Sequence, residues 1–206
     1  AGLFDDLIDE WTAVCDLPMH PNCGLSIDHH QSNRPGGNDG KAMVVWKDSP
    51  SAARIAYELF REVIDLSDLE DLLDWVDKLD SGAISHEEFL SHAPAIWLSR
   101  VVDSGEDTAA WILEQLRAGA TTEEILADSK ISKLVAEKEE ELENLNEVIH
   151  SSMRIEDRIA IVRLDGLGIR SNGYHVTAMA GDECDACMII HGELGADFGD
   201  SGRYPV

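Results

Sequence analysis

Four side chains near the front of the chain have the types and spacing of a metal or phosphate site. Asp16 closes the apolar run Thr12-Ala13-Val14-Cys15, and Asp28 closes Leu25-Ser26-Ile27, with His29 and His30 directly behind it. Each run reads as a short buried strand. In an open parallel sheet, ligands bind in the crevice beyond the carboxyl ends of the strands. Two carboxylates and two imidazoles at such ends therefore converge on one place. Either aspartate alone reads as a turn former or a helix cap, but the set carries more. Clustered carboxylates are costly to bury without a cation, and imidazole with carboxylate suits Mn, Fe, Co or Zn.

The elements that must position these groups follow from periodicity and caps. Leu3, Phe4, Leu7, Ile8 and Trp11 are spaced as on a helix, and Gly36 to Gly40 is a loop before a strand over Ala42–Trp46. Ser49 and Pro50 are read as cap and first residue of a helix whose stripe is Ala52, Ile55, Ala56, Leu59, Phe60 and Val63. Ser67 with Glu70, Ser85 with Glu88, and Thr121 with Glu124 have the capping-box spacing. Pro94 opens another helix, and Gly119 stops the one carrying Trp111, Ile112 and Leu116. Residues 130–150 are highly charged and read as a helix bridging two lobes. Strand-like runs follow at 159–162, 174–178 and 187–190. The expected class is α/β: a parallel sheet with flanking helices, a connecting helix, and a smaller β-rich C-terminal lobe.

The formal net charge of the 206-residue chain is −25, from 41 acidic and 16 basic residues. Such a surface repels duplex nucleic acid, although cations in a cleft can reverse the sign locally. No run approaches the roughly 20 apolar residues of a membrane span, and the N-terminus lacks a signal-peptide pattern. Four cysteines do not make a disulfide scaffold, so a reducing, cytoplasmic setting is expected. Cys184-x-x-Cys187 with His191 is at most half of a zinc site, and alternation in a β-rich lobe explains the cysteines as well. Trp11, Trp46, Trp75, Trp97 and Trp111 fall on apolar stripes or strands, which favours core packing over base stacking.

Four segments, in order, resemble the DHH family of phosphoesterases. Ser26-Ile27-Asp28-His29-His30-Gln31-Ser32-Asn33 resembles the signature that names the family. Ala13-Val14-Cys15-Asp16-Leu17 resembles the strand carrying its bridging aspartate, and residues 48–60 resemble the helix after the signature. Trp75-Val76-Asp77-Lys78-Leu79-Asp80-Ser81-Gly82 resembles the segment with the last metal aspartate, and the following Ser-Gly favours Asp80 over Asp77. The alternative for Asp77 is an exposed charge on a helix face.

The resemblance implies a DHH domain over residues 1–128, a connecting helix over 129–154 and a partial substrate-binding lobe over 155–206. It implies hydrolysis of a phosphodiester or phosphoanhydride bond by metal-activated water, with Mn2+, or another divalent ion such as Mg2+ or Co2+. Asp16, His29 and Asp80 would be the metal ligands, His30 would donate to the substrate phosphate, and Asp28 would orient a histidine. The expected substrate is a phosphate-containing small molecule or short oligonucleotide, with a homodimer left open. Two departures matter. The family begins with an Asp-x-Asp segment and its C-terminal lobe carries a Gly-Gly-His loop, and neither stands in this sequence, so the chain reads as trimmed at both ends. At most one well-held ion is then expected, and the rival reading is a non-catalytic binding or scaffolding protein of the same fold.

Overall fold

Val14 and Ile27, both buried, anchor short strands whose neighbours are too few to form a wide sheet. In the computed structural model, which describes residues 7–37, 41–165, 167 and 169–191, the chain forms two compact units, Ala1–Ile84 and Ser85–Val206. In the first unit β1 (Ala13–Cys15), β2 (Leu25–Asp28) and β3 (Met43–Trp46) lie parallel in the order β1-β2-β3. Cys15 pairs with Ile27 and Asp28 with Trp46, so Asp16, Asp28 and residues 47–49 all leave the sheet at its carboxyl edge.

Helix α1 (Ala52–Phe60) packs Ala52 and Ile55 against Ile27. Its cap is Ser51, not Ser49: the Ser51 side chain accepts from the Arg54 N–H at 2.9 Å. A 3-10 turn at Ser67–Leu69 leads into α2 (Glu70–Ser81), where Ser67 turns back to Asp65 rather than forming the expected capping box. Gly24 opens β2 in close contact with the preceding chain: a Cβ there would stand 2.0 Å from the Glu10 carbonyl oxygen. The helix expected up to Trp11 is absent over residues 7–11, where an Asp9 turn accepts from the Trp11 N–H and Trp11 is 88% exposed. Residues 3–6 of that expected helix, and Asn38 to Gly40 of the expected loop, lie outside the described residues.

The second unit contains α3 (His86–Phe89), α4 (Pro94–Val102), α5 (Glu106–Arg117), α6 (Thr122–Ala127) and the long α7 (Ile131–Ser152). Both capping boxes expected here form, at Ser85 with Glu88 and at Thr121 with Glu124, and Pro94 sits in the first turn of α4. Gly119 follows α5 with φ +84°, the left-handed stop expected of it. Helix α7 is amphipathic rather than a bare bridge: Ile131, Leu145 and Ile149 are buried, and the last two join Ala160, Val162 and Val176 in one core.

The smaller sheet runs β4 (Arg154–Glu156), β5 (Ile159–Arg163), β6 (Ala186–Ile190), with β4 antiparallel and β6 parallel to β5. Asp157 and Arg158 turn the hairpin with φ of +48° and +64°, the pattern of a two-residue primed turn. Arg158 is held there by two hydrogen bonds to Asp185 at 2.6 and 2.5 Å. The run 174–178 is not a strand. It lies in α8 (Gly173–Ala180), capped by Asn172, whose side chain accepts from the His175 N–H at 2.9 Å. The architecture is thus mixed α/β, with a parallel three-stranded sheet and a second, smaller one. Among the described residues no helix is long and apolar enough to cross a membrane.

Candidate metal centre

Asp16 follows β1 with φ +62°, a left-handed conformation that aspartate tolerates better than most residues. Its N–H donates to the Ile27 carbonyl at 2.9 Å, which fixes it beside the end of β2. Asp28, 4% exposed, is the hub of the next turn. One carboxylate oxygen accepts from the His29 N–H at 2.7 Å, the His30 N–H at 3.0 Å and His30 Nδ1 at 2.8 Å. The other accepts from the Asn33 amide at 2.6 Å, across the 3-10 turn Gln31–Asn33. Burial pushes the Asp28 carboxyl up, but these hydrogen bonds outweigh it and hold the group below the usual carboxylate range.

His29 has a defined tautomer. Nδ1 lies 3.0 Å from the Ser49 carbonyl oxygen, which can only accept, so Nδ1 carries a proton and, in the neutral ring, Nε2 presents a lone pair. That Nε2 is buried without a hydrogen-bond partner. It faces Asp16 Oδ1 at 3.3 Å and Asp80 Oδ2 at 3.2 Å. With the imidazole neutral, three acceptors are thus turned toward one another, an arrangement that a cation satisfies. Ligand bonds of about 2.1 Å, arranged tetrahedrally or octahedrally, space neighbouring donor atoms about 3.0–3.4 Å apart, and the two separations from His29 match. The residues present fit a divalent ion.

Asp80 comes from the last turn of α2. Burial and then repulsion by Asp16 push its carboxyl up, against the pull of His29 and His30. His30 stands edge-on to His29, with ring centroids 4.5 Å apart. Its hydrogen bond to Asp28 raises its pKa, burial opposes this, and the charges of Asp28, Asp16 and Asp80 add to the rise. Among the described residues, the group of metal-ligating atoms all within 4.8 Å of one another is Asp16, His29 and His30; Asp80 approaches His29 but is not part of that group, and Cys184, Cys187 and His191 form none. An open cleft of about 550 Å3 adjoins Asp16 and Asp80, floored by Ala52, Ala53 and Ala56.

Asp77 is not the exposed helix-face charge that was the alternative for it. Its side chain is 14% exposed, accepts from the Ser51 hydroxyl at 2.6 Å and from Arg54 Nε at 2.6 Å, and ties α2 to α1. Arg54 also reaches Asp74 at 2.7 Å. Three supporting groups escaped the sequence reading: Asn33, the Ser49 carbonyl and the Arg54–Asp77 pair. Asn33 ends the recognised signature but its partner lies five residues back, and a backbone carbonyl leaves no mark on residue type.

No protein-family model and no curated protein sequence matches the chain. A solved structure does: the pGpG-specific phosphodiesterase PggH from Vibrio cholerae, at a TM-score of 0.72 and 19% identity over 89% of this chain. The fold is DHH-like. The chain spans 64% of the length of that protein, and at this identity the likeness speaks for the fold.

Proposed function

We propose that this chain is a metal-dependent phosphoesterase acting on a small phosphate-containing substrate such as a short oligonucleotide or nucleotide. The observation that carries the reading is that His29 Nε2, buried without a hydrogen-bond partner, lies 3.3 Å from Asp16 Oδ1 and 3.2 Å from Asp80 Oδ2. These three residues would hold the ion, Mn2+ by the family resemblance. A divalent cation bound there supplies Lewis acidity toward water and phosphoryl oxygens.

The chain's own residues supply the rest. Asp28 keeps His30 anchored through Nδ1 and favours its protonated form, which leaves Nε2–H as a donor for a phosphate oxygen. The Ser49 carbonyl keeps the His29 lone pair directed at the carboxylates. The alanine-floored cleft beside Asp16 and Asp80 has room for a substrate, and the net charge of −25 disfavours long polyanions. The phosphodiesterase named in the solved structure of the same fold agrees with this chemistry.

The test is hydrolysis of bis(p-nitrophenyl) phosphate, pGpG, pApA and pyrophosphate, with Mn2+ and with EDTA. Hydrolysis of at least one substrate in Mn2+, abolished by EDTA and lowered at least ~100-fold in His29→Ala and Asp80→Ala, is the expected result. Mn2+ binding without turnover of any substrate would favour the non-catalytic reading. Turnover that survives both substitutions would remove the proposed centre.

A further inference from the structure

The second unit contains a cavity of about 960 Å3, at the upper end of the size usual for small-molecule sites. Arg100, from the last turn of α4, lines it. Its guanidinium lies over the Trp97 ring at 4.8 Å and near Phe89 at 5.9 Å, and one nitrogen donates to the Phe89 carbonyl at 2.9 Å. The group is half-buried, and burial alone lowers its pKa: no carboxylate among the described residues offsets that cost. This is anomalous in a chain with 41 acidic residues and only 16 basic ones. Arginine shielded from water is ordinarily paired, and among the described residues the Phe89 carbonyl takes one of its five N–H donors.

The surroundings also fit an anion. His175, buried on the same cavity, is kept neutral by burial and then by the Arg100 charge, and its Nε2 is engaged by the Asn146 amide oxygen at 2.6 Å. That residue therefore presents a neutral ring to Arg100. Lys138 and Arg170 add positive charge to the lining, and Asp103, Glu141 and Glu147 balance it to neutrality, far from the chain's overall ratio. One of these, Glu141, is already paired to Lys138 at 2.6 Å. The lining also includes the apolar Phe89, Ile96, Leu142, Leu145 and Val148. The lining thus offers a charged fork for a compact anion and apolar side chains for an organic body.

We infer that this cavity binds a small organic phosphate of nucleoside-monophosphate size, with its phosphate on the Arg100 guanidinium. The pairing is the bidentate one that guanidinium makes with phosphate. It requires no metal, and so stands apart from the hydrolytic reading.

The experiment is calorimetric titration in EDTA with GMP, guanosine and inorganic phosphate, on the wild type, Arg100→Gln, Arg100→Lys and, as a control, Arg117→Gln, whose exposed side chain pairs with Glu114 on the same helix. GMP is expected to bind the wild type and the control alike, and at least ~10-fold more weakly in Arg100→Gln, with Arg100→Lys between them. Guanosine should not bind measurably, and inorganic phosphate only weakly. Should Arg100→Gln fail to fold, the Arg100 Nε–H resonance of the wild type decides, since GMP must shift it and guanosine must not. Failure of GMP to bind, equal binding by a folded Arg100→Gln variant, or an unmoved Arg100 resonance overturns the inference. Because EDTA removes any ion, these outcomes do not depend on the metal centre.

Discussion

The Ser49 carbonyl oxygen holds His29 Nδ1 at 3.0 Å, so that the opposite nitrogen of the neutral ring is left as an acceptor. The consequence is thermodynamic. An ion that binds only the folded chain stabilises it by about 2.7 kcal/mol at a hundredfold excess over its dissociation constant. Thermal unfolding with Mn2+ should therefore show a raised midpoint in the wild type and little or no rise in His29→Ala or Asp80→Ala. Equal responses in all three would show that any bound Mn2+ is held elsewhere.

Arg54 and Asp77 set the position of Asp80 without touching the site. Asp77 lies three residues before Asp80 on α2 and is fixed to α1 through Ser51 and Arg54. Removing such a supporting partner typically costs 10–100-fold in metal affinity. Asp77→Asn should weaken Mn2+ binding by roughly tenfold, and Arg54→Gln should do the same, while Asp74→Asn, on the exposed end of the network, should have a smaller effect. Isothermal titration with Mn2+ distinguishes the three, and an unchanged affinity in Asp77→Asn would show that α2 holds Asp80 unaided.

The strand ends were legible because apolar runs closed by aspartate leave a plain mark on the sequence, and adjacent parallel strands carry Asp16 and Asp28 to one edge. Ser85 and Thr121 were legible for the same reason, since a capping box needs two residue types at a fixed spacing. The cap of α1 was misplaced by two residues because Ser49 and Ser51 flank Pro50 symmetrically, and the hydroxyl that reaches the Arg54 N–H is known only once the turn is formed. Helix α8 was mistaken for a strand because Tyr174, Val176 and Thr177 favour sheets, whereas tertiary packing buries His175, Val176, Ala178 and Ala180 along a helix begun by Asn172. Asp77 resembled its exposed neighbours on α2 because its partner, Arg54, is 23 residues away.

Gly24 is required by close approach rather than by backbone conformation. A methyl group there meets the Glu10 carbonyl oxygen at 2.0 Å, and that atom is backbone, with no flexible side chain to yield. Gly24→Ala must displace the chain before β1 or the start of β2, at a cost of about 1–3 kcal/mol or more. Urea unfolding should show a lower midpoint with an unchanged slope. Since β2 carries Asp28, Mn2+ affinity should fall in the same variant. A fully stable Gly24→Ala would mean that residues 9–11 pack less closely on β2 than the structure has them.

His175 gives the second unit an acid-sensitive term whose sign is fixed by its surroundings. Burial, and then the charge of Arg100, hold its pKa below that of an exposed histidine. In the unfolded chain the imidazole takes up a proton near pH 6.5, while the folded chain resists. The stabilisation from its neutral form is therefore complete above about pH 6.5 and is lost as pH falls toward the folded-state value. One such proton changes unfolding free energy by at most ~1.4 kcal/mol per pH unit. Urea unfolding between pH 7.5 and 5 should show stability falling more steeply in the wild type than in His175→Gln, where the remaining slope belongs to other groups. If the two slopes coincide, His175 is protonated in the folded state as readily as in the unfolded one, and its neutrality beside Arg100 is lost with it.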